Sequence, residues 1–453
     1  HHPKAVSIPT PREYEGLLRQ AHVVADFADR RQMIVDQIEH LAVKGGYHPV
    51  MPEGLIDEVT SIVEWPNAVL AHFEPEFLDV PAEALIAAMQ SHQKCFALRN
   101  KQGELLPSFI AVANIVSRDP QQVIAGNEKV MHARLSDAAF FYRQDKRQKL
   151  EQYQAATTNV VFQARLGSLH DKMQRIQRLI ERFVAPLQLD AAHAVRAAAL
   201  SKCDLMTGMV GEFPELQGLM GYYYALNDGE NEAVAVALNE QYMPRFAADE
   251  LPQSPLGLAL SLADRLDTLV GAFAIGQKPT GVKDPFKLRR HALAMVRMLI
   301  LTAAPFNLYS LIHEALGVYG DKIEPVDPAI HELKTFILER MQSFYQAQGI
   351  AADVVHAVRA RQDDELNDLD HRVEALLTFA NRPEAASLSG ACKRVNNLLQ
   401  QASIGDDQDV DAHLMHEAAE KELLQQVIAV EKAVAPLYSS GEYGLILSQL
   451  ASL

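Results

Sequence analysis

His170 and Asp171 are adjacent, and Cys203-Asp204 and Leu262-Ala263-Asp264-Arg265-Leu266-Asp267 supply further acids downstream. Histidine nitrogens and carboxylates that converge from several helices hold one or two metals, which activate water for hydrolysis. Cys203 and Gln241 lie in this region and supply no histidine nitrogen to such a set. Asp171 also shares a helix face with Arg175, Arg178 and Arg182, and an i,i+4 ion pair accounts for it. The chemistry is therefore a degenerate ligand set at Cys203, Asp204 and Asp264, on a helical scaffold expected to hold no metal.

The histidine–aspartate pattern resembles the HD metal phosphohydrolases, which makes an HD-type hydrolase the rival reading. It would need an intact ligand set, and by that resemblance Cys203 stands in place of the key histidine and Gln241 where a further one is expected. Other catalytic signatures are absent: the sequence contains no GxGxxG, no serine nucleophile elbow and no HExxH. Gly276-Gln277-Lys278-Pro279-Thr280-Gly281 opens like a phosphate loop, but Val282 occupies the lysine position and Pro279 removes a backbone donor from the cradle.

The second class of candidates is cationic. Residues 278–297 hold Lys278, Lys283, Lys287, Arg289, Arg290 and Arg297 against Asp284 alone. They form either a phosphate-binding surface or the solvated face of a helix over 285–300 that buries Leu288, Ala292, Met295 and Leu299; the two readings weigh equally. Lys129 and Arg134 precede Phe140, Phe141 and Tyr142, which interleave with Arg143, Lys146, Arg147 and Lys149. Stacking and clamping of RNA is one use of such a run, although an amphipathic helix with an aromatic core face explains the spacing better. Lys393, Arg394, Asn396 and Asn397 place two cations and two amides within little more than one helical turn. They suit phosphates and base edges, with Val395, Leu398 and Leu399 expected to face a bundle interior; the alternative is that Lys393 and Arg394 only solvate a helix.

These residues need a large scaffold. The chain has 453 residues, 48% of them apolar, enough for several cores. Its net charge is −16, which disfavours a nucleic-acid binder unless cations are segregated, as they are here; residues 363–374 carry Asp363, Asp364, Glu365, Asp368, Asp370 and Glu374 against Arg372. The three cysteines, Cys95, Cys203 and Cys392, form no CxxC pair, so a reducing cytoplasm is expected. No apolar run reaches the roughly 18 residues of a membrane span. The chain begins His1-His2 and ends in the apolar-periodic stretch Leu445, Leu447, Leu450 and Leu453, from which a fragment of a longer protein is expected.

Hydrophobic periodicity predicts one helix over 13–42 ended by Gly45-Gly46, a second over 53–64, and a small α+β module over 44–118 built on a hairpin. Strands are expected at 68–73, 94–99 and 105–116, the last buried on both faces. From about 127 the chain reads as helical: 166–183, 191–210, 231–240, 256–275, 285–303, then 329–347, 351–361, 370–380, 384–401 and 411–435, with Asp321–Pro328 as a connector. The fold class is mainly α and multidomain, with segments 1–43, 44–118, 119–160, 161–304 and 305–453.

Several phrases taken together resemble the β subunit of bacterial glycyl-tRNA synthetase. They are Val63-Glu64-Trp65-Pro66, Leu106-Pro107-Ser108-Phe109 with Val112-Ala113-Asn114, Gly126-Asn127-Glu128-Lys129-Val130 with Ala133-Arg134-Leu135-Ser136-Asp137, Ser201-Lys202-Cys203-Asp204, Ala237-Leu238-Asn239-Glu240-Gln241-Tyr242, and the most specific, Gly276 through Arg290. The resemblance implies an α2β2 heterotetramer in the cytoplasm. Its α subunit would make glycyl-adenylate with ATP and Mg, while the β subunit, with no cofactor of its own, would hold tRNA(Gly) for glycylation. It further implies an editing-like module at 44–118, an HD-like helical domain at 161–304 and an anticodon-binding-like bundle from 305. Site residues carried with it are the tRNA contacts Lys129, Arg134, Lys278, Lys283, Lys287, Arg289, Arg290, Lys393, Arg394, Asn396 and Asn397.

Overall fold

A computed structural model of the chain describes residues 5–302, 304–320, 323, 327–361, 364–402, 413 and 415–453. The fold is mainly helical, with one small antiparallel sheet near the N-terminus. The chain divides into two compact units: His1–Phe162 with Ser168–Met173 and Arg196–Asn239, and Gln163–Gly167 with Gln174–Val195 and Glu240–Leu453. Residues 161–304 thus contribute to both. His1, His2, Asp363, most of the expected 321–328 connector and the start of the expected 411–435 helix lie outside the described residues.

In the first unit, strands β1 (His48–Pro49), β2 (Asn67–His72), β3 (Phe96–Arg99) and β4 (Leu105–Ala113) pair antiparallel in the order β1-β3-β4-β2. Central β4 buries Phe109, Ile110 and Ala111 in succession, as its unbroken apolar run predicts. The β3–β4 turn is held by the Asn100 side chain, which accepts from the backbone N–H of Gln102 and of Glu104. Ile34, Ile38, Leu55, Ile56 and Val59 from two helices close one core on Phe96, Leu98 and Ile110.

The expected single helix over 13–42 is two, Tyr14–Gln20 and Phe27–Gly45. Asp26 caps the second by accepting from the N–H of Asp29, and the Arg30 guanidinium gathers the carbonyls of Val24, Ala25 and Thr60. These bonds stabilise a chain reversal where periodicity runs on. Gly46 ends the second helix with φ of 71°.

The Pro120–Asp145 helix ends on a buried carboxylate. Asp145 accepts from the N–H of Gly208 at 2.8 Å and of Met209 at 2.9 Å, the open first turn of the Gly208–Glu212 helix, and from the Tyr224 hydroxyl at 2.9 Å. Tyr224→Phe is expected to cost about 2 kcal/mol, the worth of a hydrogen bond to a charged group; chemical denaturation would measure it, and a cost below about 0.5 kcal/mol would mean that the two amides suffice for Asp145. The expected helix over 191–210 breaks after Leu200. Thr207 is extended and caps the next helix by accepting from the N–H of Val210, so the segment restarts there.

In the second unit the Pro255–Ala274 helix is buried along nearly its whole length. Ser254 caps it and Pro255 takes its first turn. Helices Leu288–Leu301, Leu308–Gly317 and Asp327–Ala347 pack around it. Further along lie helices Ala352–Arg359, Leu366–Ala380, Pro383–Ala402, Ala418–Ser440 and Tyr443–Leu450. Part of the acidic stretch is spent internally: Asp364 pairs with Lys334, Asp368 with Arg372, and Asp370 accepts from the Tyr345 hydroxyl.

Candidate nucleic-acid interface

The densest cationic surface follows Gly276. Thr280 and Lys283 exchange backbone hydrogen bonds of 2.8 and 3.0 Å across a tight turn, which leaves Val282 fully exposed at its tip. The Asp284 carboxylate accepts from the N–H of Leu288 at 2.7 Å and of Arg289 at 3.0 Å, so the one acid of the segment braces the start of the Leu288–Leu301 helix. Lys287 takes the left-handed conformation just before that helix, with φ of 55°. Arg289 donates to the Gly281 carbonyl at 2.7 Å and ties turn to helix. The expected helix start at 285 is therefore displaced to Leu288, and Leu288, Ala292, Met295 and Leu299 are buried as predicted.

The cations differ in what they hold. Lys278 pairs with Glu332 and lies 6.0 Å from the Phe273 ring centroid. Lys283, Lys287 and Arg290 are exposed, and their side chains have no hydrogen-bond or ion-pair partner among the described residues. Beneath them Arg265 is buried, and it donates to the Ser261 hydroxyl, His291 Nδ1 and the carbonyls of Tyr242 and Pro244. Burial pushes the Arg265 guanidinium down to about 10; Asp264 opposes that and Arg290 adds to it.

Next to this helix, Arg289, Arg290, Arg297 and Arg340 line a groove of about 300 Å³ together with Phe246 and Ser343. Arg297 donates to the carbonyls of Ala247 and Asp249, each at 2.8 Å. Arg340 lies over the Phe336 ring at 5.3 Å and 3.0 Å from Glu339, and its buried Nε has no hydrogen-bond partner. The sequence reading placed neither Phe246 nor Arg340 here. Phe246 stands 30 residues before the basic phrase at 276–290 and Arg340 50 residues after it, and no periodicity connects them to it.

The other candidate cations lie elsewhere. Lys129 and Arg134, in the first unit, are exposed on the Pro120–Asp145 helix; Arg134 is 3.7 Å from Asp137. On that helix Phe140 is 60% exposed, while Tyr142 stacks on Tyr224 and under Lys146. Lys393, Arg394, Asn396 and Asn397 are exposed on the Pro383–Ala402 helix. The expectation that Val395, Leu398 and Leu399 face a bundle interior is corrected: they are 54%, 64% and 41% exposed, because no other element covers that face among the described residues.

The hydrolase-like positions Cys203, Asp204 and Asp264 are all buried. Cys203 is buried, and its thiol is pushed up to about 12 by burial and then by Asp204. Asp204 is buried and accepts from the Gly218 N–H. Asp171 accepts from the N–H and hydroxyl of Ser168, at the start of its helix. Asp267 is committed to Arg175, the residue expected to pair with Asp171. Among the described residues no three His, Cys, Asp or Glu side chains gather as a metal-ligand set, and no helix is long and apolar enough to cross a membrane.

Comparison with known proteins agrees with the phrases. The chain is 48% identical over its full length to the glycine–tRNA ligase beta subunit of Pseudomonas fluorescens strain SBW25, 47% to that of Pseudomonas putida strain GB-1 and 46% to that of Pseudomonas aeruginosa strain UCBPP-PA14. It spans 66% of the length of each of these relatives. The family described as glycyl-tRNA synthetase beta subunit matches residues 1–360, and the chain belongs to that family.

Proposed function

We propose that the chain is the tRNA-holding part of a glycine–tRNA ligase β subunit. It would bind tRNA(Gly) and position it for an α subunit that activates glycine with ATP and Mg in a cytoplasmic α2β2 enzyme. The observation that carries this reading is the turn and helix start at 280–290, where Lys283, Lys287 and Arg290 are uncompensated by acid and held on a braced backbone. Cations of that kind contact phosphate without reading sequence. In the same reading Lys278 and Arg289 extend this surface, Lys129 and Arg134 add a second contact, and Lys393, Arg394, Asn396 and Asn397 form an anticodon-side contact. The 44–118 segment is an editing-like module, 161–304 an HD-like scaffold without catalytic metal, and 305–453 an anticodon-binding-like bundle.

The defining experiment is glycylation of tRNA(Gly) by purified α subunit with and without the complete β protein. Within it, Lys283→Glu with Arg290→Glu is expected to lower tRNA affinity about 10- to 100-fold and to flatten the salt dependence by about two counterions. Folding stability should change little, since exposed charges contribute little to it. Unchanged affinity together with an unchanged salt slope would remove the basic turn from the interface.

A further inference from the structure

The groove beside the basic turn has a composition that a plain charged surface lacks. Its four guanidinium groups come from two helices, Leu288–Leu301 and Asp327–Ala347. Two of them are positioned by neutral acceptors: Arg289 by the Gly281 carbonyl, Arg297 by the carbonyls of Ala247 and Asp249. Carbonyls orient a guanidinium without cancelling its charge. The Arg290 side chain has no hydrogen-bond or ion-pair partner among the described residues, and Arg340 pairs with its exposed sequence neighbour Glu339 and lies over the Phe336 ring, while its Nε is left without an acceptor. No acidic side chain lines the groove. At its edge stands Phe246, an aromatic ring 57% exposed.

We propose that this groove seats a phosphodiester of bound RNA, with Phe246 as the platform for an adjacent unpaired base. This rests on the tRNA-holding reading and assigns it a specific subsite. Planar guanidinium groups match phosphate oxygens in paired geometry, and a half-exposed aromatic beside them supplies the stacking that unpaired nucleotides use. Solvent-exposed phenylalanine costs a folded chain apolar contact with water, which a stacked base removes. An acidic protein segment would use the arginines but would gain less from the ring, so RNA is favoured.

The test uses the complete protein and transcribed tRNA(Gly), with affinity measured across a salt series for Arg340→Gln, Phe246→Ala, Phe246→Trp and Lys283→Glu. Arg340→Gln is expected to bind about tenfold more weakly with the salt slope reduced by about one. Phe246→Ala should weaken binding roughly tenfold at unchanged slope, and Phe246→Trp should restore it. If Lys283→Glu weakens binding while both groove variants match the parent in affinity and slope, the groove assignment falls and the wider reading stands. If the parent itself does not bind tRNA, both fall. Loss of tRNA binding by Phe246→Ala that Phe246→Trp does not restore would overturn the stacking role. Displacement of tRNA by polyglutamate, with the Arg340 and Phe246 variants equal to the parent on RNA alone, would overturn RNA as the occupant.

Discussion

Asp267→Ala should lower the unfolding free energy of the second unit by about 3–5 kcal/mol, the usual cost of stranding one member of a buried ion pair. Asp267 is fully buried and Arg175 is 5% exposed at its side chain; the two meet through Nε–Oδ1 at 2.5 Å and Nη2–Oδ2 at 3.3 Å. The remaining Arg175 donor reaches the Leu166 carbonyl at 3.0 Å, and the guanidinium lies 4.3 Å from the Tyr319 ring centroid. Tyr319 in turn donates its hydroxyl to the Asp267 carbonyl at 2.8 Å. Burial alone would push Arg175 down, and Asp267 more than offsets it, so the guanidinium sits above its ordinary value. Without Asp267 the cation keeps its desolvation cost and loses its compensation. Tyr319→Phe, which removes one neutral hydrogen bond, should cost only about 1 kcal/mol. The double variant Arg175→Met with Asp267→Leu should cost much less than the sum of its singles, because the stranded charge is gone. Urea denaturation of Asp267→Ala, Tyr319→Phe, the double variant and its singles Arg175→Met and Asp267→Leu reads this directly. A loss below about 1 kcal/mol for Asp267→Ala, or an additive double variant, would mean that the pair does not hold the unit together.

That arrangement also shows where sequence reading stops. Asp264 and Asp267 were legible as carboxylates on a helix of an HD-like pattern, and Arg175 as a helical neighbour of Asp171. The partner that Arg175 takes lies 92 residues away, which spacing along one helix cannot reveal. Local patterns were legible where the deciding interactions are local: the buried run of β4, the apolar face Leu288, Ala292, Met295 and Leu299, and the glycine that ends Phe27–Gly45. The break after Gln20 was not, because the Arg30 bonds that stabilise it include one to Thr60, on another helix. Val395, Leu398 and Leu399 mark the opposite failure. Their spacing is that of a buried stripe, yet burial needs a covering element, and periodicity says nothing of one. The basic phrase at 276–290 was legible in residue type and order; its extension into a groove through Phe246 and Arg340 was not.

Asp204 should withdraw stability from the first unit as pH rises from about 4 to about 6. Burial raises its carboxyl to about 6, against the opposing pull of the Gly218 N–H and of Lys202. Its Oδ2 accepts from Gly218 at 2.5 Å, while Oδ1 is buried with no hydrogen-bond partner. Gly221 lies against it, since a Cβ there would stand 3.5 Å from the Asp204 Cγ. An unfolded aspartate titrates near 3.9. A folded value above the unfolded one means that the folded chain binds the proton more tightly. The stabilising effect of protonation is therefore complete below about pH 4 and is lost as pH climbs through 6. The shift is worth about 3 kcal/mol at full ionisation, to order of magnitude. Asp204→Asn keeps an oxygen for the Gly218 N–H and cannot ionise. The stability of the variant relative to the parent should rise between pH 4.5 and 7.5 by about 2 kcal/mol, whatever fixed cost its amide group adds. Chemical denaturation of parent and variant across that range isolates the slope from the fixed cost. A difference that stays constant with pH would mean that Asp204 titrates as an ordinary carboxylate and that another group sets the pH dependence of this unit.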